Sequence, residues 1–150
     1  MQKFMQMGEG VFIGGQPEKE DLMELAKQGV KTVIDFREPS ETATSNALMA
    51  QQAKLDYVNI PVNKLTLSDA DVEKFRAALG DKQGPFLLYC GSGARAGAML
   101  LMKTAVDNRW TPQQAMEAAA KMGFDCNAHP EIKAFFTAYI QRHSTPTTLV

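Results

Sequence analysis

Cys90 and Arg95 stand at either end of a glycine-rich stretch, YCGSGARAGA over residues 89–98, and hold the two groups that nucleophilic transfer at an oxyanion requires. A thiol attacks as the thiolate, a form favoured by a helix N-terminus and a neighbouring guanidinium. Arginine offers a planar fork of N–H donors that matches two oxygens of a phosphate or sulfate. Gly91 and Gly93 can take positive φ at little cost, so the backbone from Cys90 to Ala96 can curl with its N–H groups inward. Gly91, Ser92, Gly93, Ala94, Arg95 and Ala96 then form an anion-binding nest, with the anion in line with the sulfur of Cys90. The competing reading of the same residues is a small buried hydrophobe that happens to precede an arginine.

Such a loop needs a strand to deliver the cysteine and a helix to receive the arginine. PFLLYC (85–90) is a short apolar run between turn residues, as expected of a central parallel strand covered on both faces. ARAGAMLLMKTAV, after the turn, is apolar nearly all round and predicts the most buried helix. Upstream, strands are expected at VFIGG (11–15), VKTVIDFR (30–37) and DYVNIPV (56–62). Helices are expected over QPEKEDLMELAKQG, with Pro17 near its first turn and Gly29 as its stop, and over about residues 41–53. Ser68 and Asp71 form a capping-box pattern opening a helix that buries Val72, Phe75 and Leu79 and ends at Gly80. Downstream, Thr111, Pro112 and Gln114 open a helix ending at Gly123, and HPEIKAFFTAYIQRH sets Ile132, Phe135, Phe136, Tyr139 and Ile140 on one face. Trp110 and the nine methionines read as core. Strands alternating with helices predict an α/β domain, a mainly parallel central sheet flanked by helices, with ligands at the carboxyl ends of the strands.

The chain's 150 residues, 45% of them apolar, suit one domain over 1–150, with 143–150 as a frayed tail. A formal net charge of −1 gives no bulk attraction to nucleic acid or to an anionic membrane, and neither is expected as a partner. Two cysteines are too few for a disulfide scaffold and suit a reducing, cytoplasmic setting; no run of 18 apolar residues is present. His129 and His143 have no metal-ligand companions at recognisable spacing, so His129 reads as a helix-start residue and His143 as a solvent-facing end. No metal or other cofactor is expected.

YCGSGARAGA after GPFLLY, with FIGGQPEKEDL, VKTVIDFRE and VNIPVNKLTLSDADVEKF, resembles the bacterial phosphatase-like domain of the beta-lactamase-hydrolase-like proteins over about residues 10–125. The resemblance implies a protein-tyrosine-phosphatase-like fold, Cys90 as a nucleophile that forms a cysteinyl-phosphate, and Arg95 as the oxyanion clamp. That family's loop reads approximately C-R-S-G-T-R-S, so Cys90, Ser92, Gly93 and Arg95 match while Gly91, Ala94 and Ala96 depart. Tyrosine phosphatases resemble H-C-x₅-R-S/T; here Tyr89 precedes the cysteine, four residues separate it from Arg95, and Ala96 stands where a hydroxyl is usual. At the usual place of the aspartic general acid the chain has Asn63, which has no acid proton to give. Asp69 and Asp71 are the nearby alternatives, although both suit a helix's first turn; Asp35, beside Arg37, and Gln16 are further candidates for the pocket. Cys126 is a candidate resolving thiol or simple packing.

The expected substrate is a phosphate ester of a small molecule or protein. Two alternatives tolerate the departures better. A rhodanese-like sulfurtransferase carries a persulfide on Cys90, takes sulfur from a sulfane-sulfur donor and needs no general acid. A catalytically silent module binds phosphate or sulfate in the same nest.

Overall fold

The computed structural model describes residues 4–6, 10–38, 47–91, 93–121 and 126–143. Strands β1 (Phe4–Gln6), β2 (Val11–Gly14), β3 (Thr32–Asp35), β4 (Asp56–Asn59) and β5 (Phe86–Tyr89) form one sheet in the order β1-β2-β5-β3-β4. β5 lies at its centre, parallel to β2 and β3, and β4 runs parallel to β3. Only β1 is antiparallel, hydrogen-bonded to β2 at the edge. The sequence carried no sign of β1, because three residues are too few to display a period.

The register decides where chemistry can occur. Gly14 and Asp35 both pair with Tyr89, and Asp35 pairs with Asn59, so the strands end level. The segments that follow β2, β3, β4 and β5 therefore emerge on one rim. β4 is shorter than the expected 56–62, yet the Ile60 N–H still reaches the Asp35 carbonyl (2.9 Å) and the Val62 N–H the Phe36 carbonyl (3.1 Å). Pro61, between them, has no N–H to give, and the alternate bonds keep the chain beside β3 as far as the rim.

Side chains alternate across the sheet. Val33, Leu87 and Tyr89 pack with Leu22 and Leu25 of α1 (Lys19–Lys27) and Ala50 of α2 (Ala47–Gln52). Ile34, Phe36, Leu88 and Cys90 face the larger core of α3 (Asp69–Asp81), α4 (Ala94–Asn108), α5 (Pro112–Lys121) and α6 (Pro130–His143). In that core Phe36 and Phe75 meet edge to face, with ring centroids 5.4 Å apart. α4 is the helix buried along most of its length, as its apolar composition requires.

Several boundaries differ from expectation. Residues 41–46, the first part of the expected helix over 41–53, and Gly123, the expected helix end, lie outside the described residues. Leu79 and Phe135 are half-buried rather than buried. Met23 is 45% exposed because α1 turns Leu22 and Leu25 inward, so the reading of all methionines as core fails there. His143, the first residue of the expected tail, is the last of α6 and bonds to Asp69; residues 144–150 lie outside the described residues. Among the described residues no helix is long and apolar enough to cross a membrane.

Candidate active site

Cys90 leaves β5 with its N–H directed at the Gly14 carbonyl, 3.4 Å away. Three residues later Gly93 caps α4 at φ +98°, a conformation that a side chain resists. Its backbone also lies close to β2, since a Cβ built there would sit 3.4 Å from the carbonyl carbon of Gly14. The turn has a chemical consequence. The Gly93 N–H donates to Cys90 Sγ at 3.1 Å, and the Gly97 N–H to the Gly93 carbonyl at 2.8 Å, which starts the helix. The sulfur thus faces an amide at the N-terminus of α4, the positive end of the helix dipole. Cys90 is nevertheless fully buried, at 0% exposure. Gly91 is exposed, Ala94 and Ala96 are buried, and Ser92 lies outside the described residues.

Arg95 occupies the first turn of α4, half-buried, and one terminal nitrogen donates to the Val62 carbonyl at 2.8 Å. Beside it opens a cavity of about 360 Å³. Ala94 and Arg95 supply one wall, Asn63, Lys64 and Leu65 of the segment after β4 another, and Glu38, His129 and Ile132 the rest. Asn63 Nδ2 donates to both carboxylate oxygens of Glu38, at 3.2 and 3.4 Å, while Asn63 Oδ1 accepts the Leu65 N–H at 2.7 Å. Glu38 and His129 were missed as site residues. Glu38 lies just past the end of β3, one residue beyond Arg37, where nothing in the local sequence marks it. His129 offered only its place before Pro130.

The remaining candidates sit elsewhere. Asp35 and Arg37, each 1% exposed, form a buried pair on the α1 and α2 side of the sheet, the opposite face from Cys90. Arg37 Nε and a terminal nitrogen reach the two Asp35 oxygens at 3.0 Å each, and the Arg37 N–H adds a third bond at 2.9 Å. Tyr57 donates its hydroxyl to Asp35 at 2.6 Å, and Asn59 donates to the carbonyls of Asp35 and Arg37. The guanidinium carbon lies 5.2 Å from the centroid of the Tyr89 ring. Burial opposes the Arg37 charge, but the Asp35 carboxylate outweighs it and the guanidinium pKa rises. Burial, then the Asp35 carboxylate, pushes the Tyr57 hydroxyl well above its ordinary value.

Asp69 is bound by Arg142 and His143 at the end of α6, and the His143 hydrogen bond, foremost, holds its carboxyl below the usual range. Asp71 accepts the Ser68 N–H at 3.0 Å and caps α3. Neither lines the Arg95 cavity, nor does Gln16, which is exposed after β2. Cys126 begins a 3-10 turn (Cys126–Ala128), and its side chain lies outside the description. Among the described residues no cluster of three His, Cys, Asp or Glu side chains gathers as metal ligands would.

A level-ended parallel sheet between two helical layers, with its central strand delivering a cysteine to a helix N-terminus, defines a domain of the protein-tyrosine-phosphatase class. The chain belongs to the family described as DSP-PTPase phosphatase fused to NAD+ kinase, whose family model matches residues 5–135. It is 31% identical over 150 residues to the beta-lactamase hydrolase-like protein of Agrobacterium fabrum, a match covering 89% of this chain and 35% of that one. The chain thus spans about a third of the length of the curated relatives it matches. The DUF442 protein of Shewanella putrefaciens CN-32 superposes with a TM-score of 0.79 at 24% identity, over 95% of this chain and 94% of that one. TpbA of P. aeruginosa, solved in complex with pTyr, gives a TM-score of 0.69 at 19% identity over 94% and 95% of the two chains. These two likenesses are likenesses of fold.

Proposed function

We propose that this chain hydrolyses phosphate monoesters through a cysteinyl-phosphate on Cys90, with Arg95 clamping the phosphoryl oxygens. The observation that carries the reading is the Gly93 N–H directed at Cys90 Sγ over 3.1 Å, which turns an otherwise apolar core cysteine toward a helix N-terminus. The ester's phosphate is held by the N–H groups of the loop and by Arg95, donors that gain most as charge builds on the phosphoryl oxygens. Thiolate attack forms the S–P bond and expels the ester oxygen; water then attacks phosphorus, breaks the S–P bond and returns the thiolate. The complex of TpbA with pTyr supports an aryl phosphate as the test substrate. The cysteine content supports a reducing, cytoplasmic setting.

A second reading, persulfide transfer, is favoured by one feature: only four residues separate Cys90 from Arg95, and sulfur transfer needs no acid. Intact mass after incubation with thiosulfate, run beside aryl phosphate hydrolysis, separates the two. The phosphatase predicts turnover that vanishes in Cys90→Ser, with no stable sulfur adduct. Sulfur uptake at Cys90 without hydrolysis supports the transferase, and anion binding with neither chemistry leaves a silent binding module.

A further inference from the structure

We infer that Glu38 is the general acid of the site, giving the departing alcohol or phenol its proton from the end of β3, a task that Asn63 cannot perform after β4. This rests on the phosphatase reading above. Asn63 is engaged otherwise: its oxygen accepts the Leu65 N–H at 2.7 Å, and its Nδ2 donates to Glu38, whose two oxygens lie 3.2 and 3.4 Å away. The amide therefore aims a carboxyl rather than replacing one.

Glu38 faces the same cavity as Arg95, and the two are tied through adjacent residues, since Arg95 donates to the carbonyl of Val62 and Asn63 follows directly. The backbone that carries Glu38 is anchored to the strand that carries Cys90. The Phe36 N–H reaches the Tyr89 carbonyl at 2.9 Å, the Val62 N–H reaches the Phe36 carbonyl, and Asn59 holds the Arg37 carbonyl at 3.0 Å. A carboxyl on an anchored backbone beside the cavity that Arg95 lines is of the type and in the region that general acid catalysis calls for.

The chemistry balances. In the first step the Cys90 sulfur forms its bond to phosphorus, the ester P–O bond breaks, and the Glu38 proton passes to the leaving oxygen. In the second, the Glu38 carboxylate takes a proton from water as the water oxygen bonds to phosphorus and the S–P bond breaks. Thiolate and carboxylic acid are both restored. His129 is the other proton carrier on the cavity wall, and the test separates it from Glu38.

The experiment compares hydrolysis of phenyl phosphate, whose leaving group needs a proton, with that of a nitro-substituted aryl phosphate, whose leaving group does not. Glu38→Gln is expected to lower kcat about 100-fold or more on phenyl phosphate and only several-fold on the nitro ester, since general acids contribute about 10²–10⁴. Glu38→Asp, which keeps a carboxyl, is expected to recover part of the lost rate, and His129→Asn to leave the ratio between the two esters near the wild-type value. Equal loss on both esters, no loss on either, or a leaving-group dependence that appears in His129→Asn instead would overturn the assignment. A wild-type chain that turns over neither ester overturns the phosphatase reading itself, and this assignment with it.

Discussion

Cys90 is buried as completely as Leu87 and Leu88, yet its sulfur accepts the Gly93 N–H, and an alkyl side chain at that place would leave the amide without its acceptor. An anion held by the loop lies over the sulfur, so inorganic phosphate is expected to slow iodoacetamide modification of Cys90 severalfold and to leave Cys126 unaffected; peptide mapping after timed alkylation reads both rates. Modification of Cys90 at a rate indifferent to phosphate contradicts the nest. On the other face of the sheet, Asp35→Asn strands the buried Arg37 charge and is expected to cost about 3–5 kcal/mol in urea unfolding. Tyr57 adds a pH signature. Its hydroxyl is raised above the ordinary value near 10, so the stability it contributes is present below about pH 10 and is lost as pH rises beyond it. Tyr57→Phe should therefore be less stable than the wild type by about 1 kcal/mol at neutral pH and lose less on going above pH 10. Cys90 and Arg95 were legible because strand, glycine turn and helix are contiguous in sequence. Glu38 was not, because its place on the cavity that Arg95 lines depends on how separate strand-end segments converge on the rim, and no local pattern carries that.

The element that matters most is the turn from β5 to α4. Gly93 is fixed there by φ +98°, while the Gly14 backbone lies at ordinary contact distance from a Cβ built on it. Gly93→Ala is expected to cost about 1–2 kcal/mol in the left-handed conformation, and more in activity, because relief of the strain swings the N–H away from the sulfur. Thermal unfolding beside aryl phosphate turnover checks this; an Ala variant with full activity contradicts the role given to the turn. The elements read best from the sequence were those with a long period or a strong stop, such as α4, and α3 with its Ser68–Asp71 cap. β4 was read too long because Ile60–Val62 keeps hydrogen bonding to β3 and looks like strand in sequence, while Pro61 interrupts the ladder. The short edge strand β1 had too few residues to announce itself.

At the scale of the molecule, a ligand that binds only the folded state adds to its stability. Phosphate at about 100 times its Kd should add about 2.7 kcal/mol, visible as a rise in Tm, and Arg95→Ala should erase most of the gain. A rise of equal size in Arg95→Ala would place the anion elsewhere. The α/β class and the central position of β5 were legible from the alternation of apolar runs with amphipathic stretches. The level ends of the strands were not, and it is that register which brings the segments after β3, β4 and β5 to one cavity. The most direct test stops turnover of an aryl phosphate with denaturant at alkaline pH, where an S–P bond survives, and maps the phosphoryl group by mass. One phosphoryl group is expected on the peptide containing Cys90 and none in Cys90→Ser; turnover without such an adduct, at a rate unchanged in Cys90→Ser, would rule out the cysteinyl-phosphate.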